Sequence, residues 1–168
     1  MNSDKIIESI AHKIKLLTGG HRKPPVILCI GSDRVTGDCL GPLVGHLLRS
    51  TFNVPAFVYG SLLSPVTALN LIQTERFIRT RHDGSVVIAV DSSLGNETDV
   101  GSVHVIDGGI YPGAAVGKTL PKVGDVAVTA TVAASGRDKL YSVRLGLVYD
   151  LAFTVASAIS KSLAQIAA

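Results

Sequence analysis

Unbroken apolar runs alternate along this chain with stretches whose apolar residues recur at helical spacing. Val26 to Ile30 is an uninterrupted apolar run rich in β-branched residues. It predicts a strand buried on both faces, as in the middle of a parallel sheet. Gly31 to Gly37 is polar and bounded by glycine, so the chain turns there. Leu40, Leu43, Val44, Leu47 and Leu48 then predict a helix, with Pro42 tolerated in its first turn. Residues 85–90 repeat the arrangement, a second apolar strand running straight into Asp91, Ser92 and Ser93.

Other elements fall between and around these two. Ile6, Ile7, Ile10, Ile14 and Leu17 predict an amphipathic helix over 3–17, with Ser3 placed to cap it. Residues 56–59 read as a short strand after Pro55. Ser64-Pro65 predicts a helix over about 66–80 that turns Val66, Leu69, Leu71, Ile72 and Phe77 inward. A shorter strand over 101–106 pairs antiparallel at or near an edge, since the link from Asp91 is too short for a helical crossover. Residues 107–118 form a glycine-rich loop, 126–132 the last strand, and Asp138 to the end one long helix. Its stripe, from Leu140 and Val143 to Ile166, is wider than a sheet alone would cover and points to a homo-oligomer contact.

The chain of 168 residues is read as one α/β domain, 1–25 being a helix and connection and 26–168 the core. An apolar fraction of 46% and a charged fraction of 17% exclude a disordered chain. The net charge of +3 is mild, and four Phe, four Tyr and no Trp leave little on which to stack bases. Nucleic-acid binding is therefore not expected. No segment approaches the roughly 18 uninterrupted apolar residues of a membrane helix, and the start of the chain lacks the pattern of a signal peptide. Cys29 and Cys39 have neither zinc nor C-x-x-C spacing, so they read as reduced thiols in a cytoplasmic protein. Cys39 adjoins a helix start, which favours a thiolate, but no histidine stands out as its partner.

Parallel strands with crossover helices put both carboxyl ends on one edge, where ligands bind in open α/β sheets. If the two apolar strands are neighbours, Asp38 and Asp91 converge there. Two readings of Asp38 stay open, a helix N-cap or chemistry. Asp91 is either a loop acid bonding nearby N–H groups or a working carboxylate. The glycines do not match G-x-G-x-x-G or a P-loop, and an acid at the helix entrance repels phosphate. Asp33, Thr36, Ser92, Gly109 and Gly113 are the candidate substrate-binding residues, the glycines because N–H groups around 109–113 can approach a ligand closely. Lys118 is either a neutralising cation or a solvated lysine. His104 reads as a partly exposed strand histidine, with ligation or catalysis the alternative. Ser92 and Ser93 lie outside a G-x-S-x-G elbow, which argues against a serine hydrolase. No cofactor is called for, although Asp38 and Asp91 with loop carbonyls would suit a hard divalent cation.

Residues 31–42, Gly-Ser-Asp-Arg-Val-Thr-Gly-Asp-Cys-Leu-Gly-Pro, resemble the first motif of YyaC-type sporulation proteins. They are more distantly similar to the germination protease of spore formers and to hydrogenase maturation proteases. Ala89-Val90-Asp91 resembles the second acidic motif of these proteins, and residues 107–117 the glycine-rich loop of the germination protease. The resemblance covers roughly residues 26–160. It implies a three-layer α/β/α sandwich with a mixed, mostly parallel five-stranded sheet. It also implies a sporulation-associated aspartic-type endopeptidase of the sporulating cell or spore, with Asp38 and Asp91 catalytic, acting on a protein or peptide such as the small acid-soluble spore proteins that the germination protease cuts. A non-catalytic protein using the same acidic pocket for a partner or cation is the alternative. In the maturation proteases a histidine from a later loop joins the two acids around nickel. Residues 117–124 contain no histidine here, so that third ligand is missing.

Overall fold

The computed structural model describes residues 3–113, 119–136 and 138–167. Its strands are β1 (Val26–Cys29), β2 (Phe57–Tyr59), β3 (Val87–Gly95), β4 (Val103–Asp107) and β5 (Val126–Ala134). Its helices are α1 (Ser3–Thr18), α2 (Leu40–Ser50), α3 (Leu71–Arg81), α4 (Lys139–Ser142) and α5 (Leu145–Ala167). The strands form one sheet in the order β2-β1-β3-β5-β4. All neighbours are parallel except β4, which runs antiparallel to β5 at an edge.

Every residue of β1 is buried, because both faces of the sheet are covered. On one face Ile27, Ile88, Val90 and Val128 pack beneath Ile14 of α1, Leu48 of α2 and Ile159 of α5. On the other, Val26, Leu28, Ala89 and Ala127 meet Leu71 and Ile78 of α3. Val66, Val123, Ile110 and Leu120 complete that second face. Ile110 and Val123 exchange backbone hydrogen bonds of 3.0 and 2.9 Å, so the glycine-rich segment is bridged antiparallel across the layer. The result is the expected mixed five-stranded α/β/α sandwich.

Four expectations are corrected. The helix expected over 66–80 begins at Leu71, because Val66 is held in a parallel bridge to Ile30 and Thr67 N–H donates to Asn70 Oδ1 at 2.8 Å. Leu71 and Ile78 therefore face inward, while Leu69, Ile72 and Phe77 are exposed. β3 does not stop before Asp91 but continues to Gly95. The single C-terminal helix is two, separated where Val143 adopts an extended conformation (φ −65°, ψ 137°). Ser3 is the first residue of α1 rather than the residue before it.

Much of the wide α5 stripe lies against α1 and α2 of the same chain. By length and composition α5 could cross a membrane, yet 50% of that stretch is buried within the fold. That half packs against the sheet and its two neighbouring helices, while Leu145, Tyr149 and Phe153 stay exposed.

Candidate active site

The site is built where β1 ends and β3 does not. The last rung between them is Ile30 N–H donating to Val90 O at 2.8 Å. At Gly31 the chain leaves the sheet with φ +145°, and a Cβ there would lie 2.1 Å from the Asp38 carbonyl oxygen. Only glycine fits that closure. Ser32 N–H donates to the same carbonyl at 3.0 Å, folding the loop back on itself. A 3-10 turn, Thr36–Asp38, then delivers Asp38 to the head of α2. The residue preceding α2 is Cys39, and no side chain caps the helix. Of the two readings of Asp38, the cap therefore drops out.

Asp91 lies inside β3, opposite Thr129 of β5. Backbone groups alternate sides along a strand, so Ser92 N–H turns toward the lane that β1 has left. Asp91 accepts that N–H on its own Oδ1 at 2.8 Å. The carboxyl is thereby latched in the vacated lane, on the side from which Asp38 approaches.

Both acids line one cavity of about 680 Å³ at the carboxyl edge of β1 and β3. Burial pushes the Asp38 carboxyl up to about 6, against the lowering effect of the Ser32 backbone. Asp91, 7% exposed, is raised well above the usual carboxylate range. Burial is the larger cause, the negative charge of Asp38 adds to it, and the Ser92 N–H opposes both. Two carboxyls facing one recess cannot both ionise freely, so the pair retains a proton to higher pH than a lone carboxyl would.

Of the expected substrate-binding residues, Ser92, Gly109 and Gly113 line the cavity. Asp33 and Thr36 are absent from its wall. Asp33 is exposed, and the Thr36 carbonyl accepts the Cys39 N–H at 3.2 Å to close the turn. The cavity also recruits Leu94, Ile106, Ile110, Tyr111, Thr129, Ser135 and Gly136, which sequence reasoning missed. Thr129 and Thr131 interrupt an otherwise apolar run at alternate positions, and that was the available signal for a polar wall.

Ser93 lines the cavity and bonds Thr131 Oγ1 at 3.2 Å, not an imidazole. His104 is exposed on β4 opposite Thr129, its Nε2 2.9 Å from Ser102 Oγ. Cys39 is buried, and burial raises its pKa, with the charges of Asp33 and Asp38 raising it further. A ready thiolate is therefore disfavoured. Among the described residues no three His, Cys, Asp or Glu side chains gather into a metal-holding group. Lys118 lies outside the described residues.

Residues 1–158 match the family described as a protein of unknown function, DUF1256. The chain belongs to that family. This DUF1256 protein is 43% identical over 141 residues to the uncharacterized protein YyaC of Bacillus subtilis (strain 168), a match spanning 82% of this chain and 69% of that one. Its fold is similar to that of the [NiFe] hydrogenase maturation protease HycI from Thermococcus kodakarensis KOD1, with a TM-score of 0.61. That likeness covers 90% of this chain and 99% of the other at 18% identity, and it shows a shared fold.

Proposed function

We propose that this DUF1256 protein hydrolyses peptide bonds with a water molecule held between Asp38 and Asp91. The observation that carries the reading is the pair of carboxyls on one cavity, both held above the ordinary carboxylate range by burial, Asp38 up to about 6 and Asp91 well above its usual value. Near neutral pH the ionised member of the pair can take a proton from water. The water oxygen then bonds the scissile carbonyl carbon. The member of the pair that keeps its proton gives it to the amide nitrogen as the C–N bond breaks. The N–H groups of Gly109 and Gly113 are assigned to the substrate backbone, together with the Ser92 hydroxyl, since the Ile110 and Ser92 N–H groups already donate to Val123 O and Asp91 Oδ1. The fold shared with a maturation protease supports a peptidase. The motif resemblance supports small acid-soluble spore proteins as substrates, in the cytoplasm of a sporulating cell.

The test is incubation of the purified protein and its Asp38→Asn and Asp91→Asn variants with such spore proteins, read by mass spectrometry. The parent cleaves, and each variant loses a factor of at least about 100, the usual contribution of a general acid or base. Folded variants that cleave like the parent would remove the two acids from the mechanism.

A further inference from the structure

The turn that carries Asp38 is held in place from outside its own loop. Gly37 is buried, and a Cβ on it would lie 2.8 Å from Leu140 Cδ2, 2.8 Å from Leu140 O and 2.9 Å from Leu140 Cα. The turn and α4 thus meet backbone to backbone, with Leu140, 1% exposed, closing over the contact. The chain leading into α4 is fastened at its other end. Ser135 N–H and Oγ both donate to Gly95 O, at 2.8 and 3.1 Å. Gly136, next along, lines the cavity.

Ser135 at one end and α4 at the other therefore meet the end of β3, which bears Asp91, and the turn that bears Asp38. A four-residue helix ended by an extended Val143 has little reason to form by itself. Its place in the fold is to bring Leu140 onto Gly37.

We propose that Leu140 is a positioning residue, which acts through Gly37 to set the Asp38 carboxyl beside Asp91. The inference rests on the two-aspartate reading for its kinetic consequence only, since the geometry of the pair can be followed without substrate. A side chain with fewer atoms at 140 leaves the turn free to swing outward, into water and away from Asp91. The two carboxyls then titrate more nearly as independent groups.

The experiment is a carboxyl 13C titration of the full chain, with the Asp38 signal assigned by its loss in Asp38→Asn. In Leu140→Ala the Asp38 midpoint is expected to fall from about 6 toward the ordinary aspartate range, while Leu140→Met preserves it. Leu71→Ala, which empties a fully buried site beneath α3, is expected to leave the midpoint in place. On any peptide the parent cleaves, Leu140→Ala should lower kcat at least tenfold with KM little changed. A folded Leu140→Ala protein whose Asp38 titrates as in the parent overturns the proposal, and so does an equal shift in Leu71→Ala. Should Leu140→Ala fail to fold, Leu140→Val is titrated in its place under the same criterion. If no peptide is cleaved, the hydrolytic reading fails while the titration still judges Leu140.

Discussion

The two faces of the sheet are covered in different ways. Over one, α1, α2 and α5 lay an apolar layer that includes Ile14, Leu48, Val155 and Ile159, all fully buried. Over the other, α3 supplies Leu71 and Ile78, and the rest of the cover is the bridged segment around Ile110 and Val123. A helix satisfies its own backbone and can seal a surface with side chains alone. An irregular segment must find partners for each N–H and C=O. It follows the sheet less closely, and the recess containing Asp91 and Thr129 lies beside it. Stability is concentrated on the helical face, while the cavity opens beside the irregular one, Asp38 reaching it from the head of α2.

That division can be broken most sharply at the acids. Asp91→Asn should lower peptide hydrolysis by about 100- to 10,000-fold yet raise the melting temperature near pH 8, because the buried carboxyl it removes is costly to ionise. A variant that loses both activity and stability would mean that Asp91 serves the fold. On the helical face the pattern reverses. Ile159→Ala should cost about 2–5 kcal/mol in denaturant unfolding and leave kcat/KM of the folded protein unchanged. A deep kinetic loss there would show that the two faces are not separable.

The pH dependence of stability sharpens the same contrast. Both acids have folded-state pKa values raised above the unfolded one, so the folded chain binds more protons across the intervening range. Their contribution is full below about pH 4, the unfolded aspartate value. Asp38's share is lost as pH rises through about 6, and Asp91 adds a loss of the same sign as its own carboxyl ionises. Chemical denaturation from pH 4 to 8 should show this decline, and Asp38→Asn should flatten its lower part. The smallest effect is expected at Arg79, whose partly exposed guanidinium bridges Glu75 at 2.9 Å and Asp125 at 3.0 Å. Arg79→Ala should cost less than about 1 kcal/mol, and the difference should shrink in 1 M salt, where screening is strong.

The central strands and the convergence of Asp38 with Asp91 were legible because each apolar run leads into an acid and parallel crossovers fix which edge the acids share. Less legible was whatever depends on a distant partner. Ser92 and Ser93 read as loop because they are polar, and β3 continues through them only because β5 stays alongside. Val66 has the residues of a helix start around it, but Ile30 draws it into a bridge. The break at Val143 has no proline or glycine to announce it, and its counterpart is the seat of Leu140 on Gly37, more than a hundred residues earlier. Asp33 and Thr36 shared a motif with Asp38, yet neighbours in sequence around a tight turn point in different directions.

The offset between β1 and β3 has a consequence for how such a pocket is made or erased. The recess amounts to a few absent rungs of one ladder. Lengthening the run after Cys29 by two extended residues would let a backbone neighbour claim the Ser92 amide, displace the Asp91 side chain and plug the hollow, with the layers around it otherwise intact.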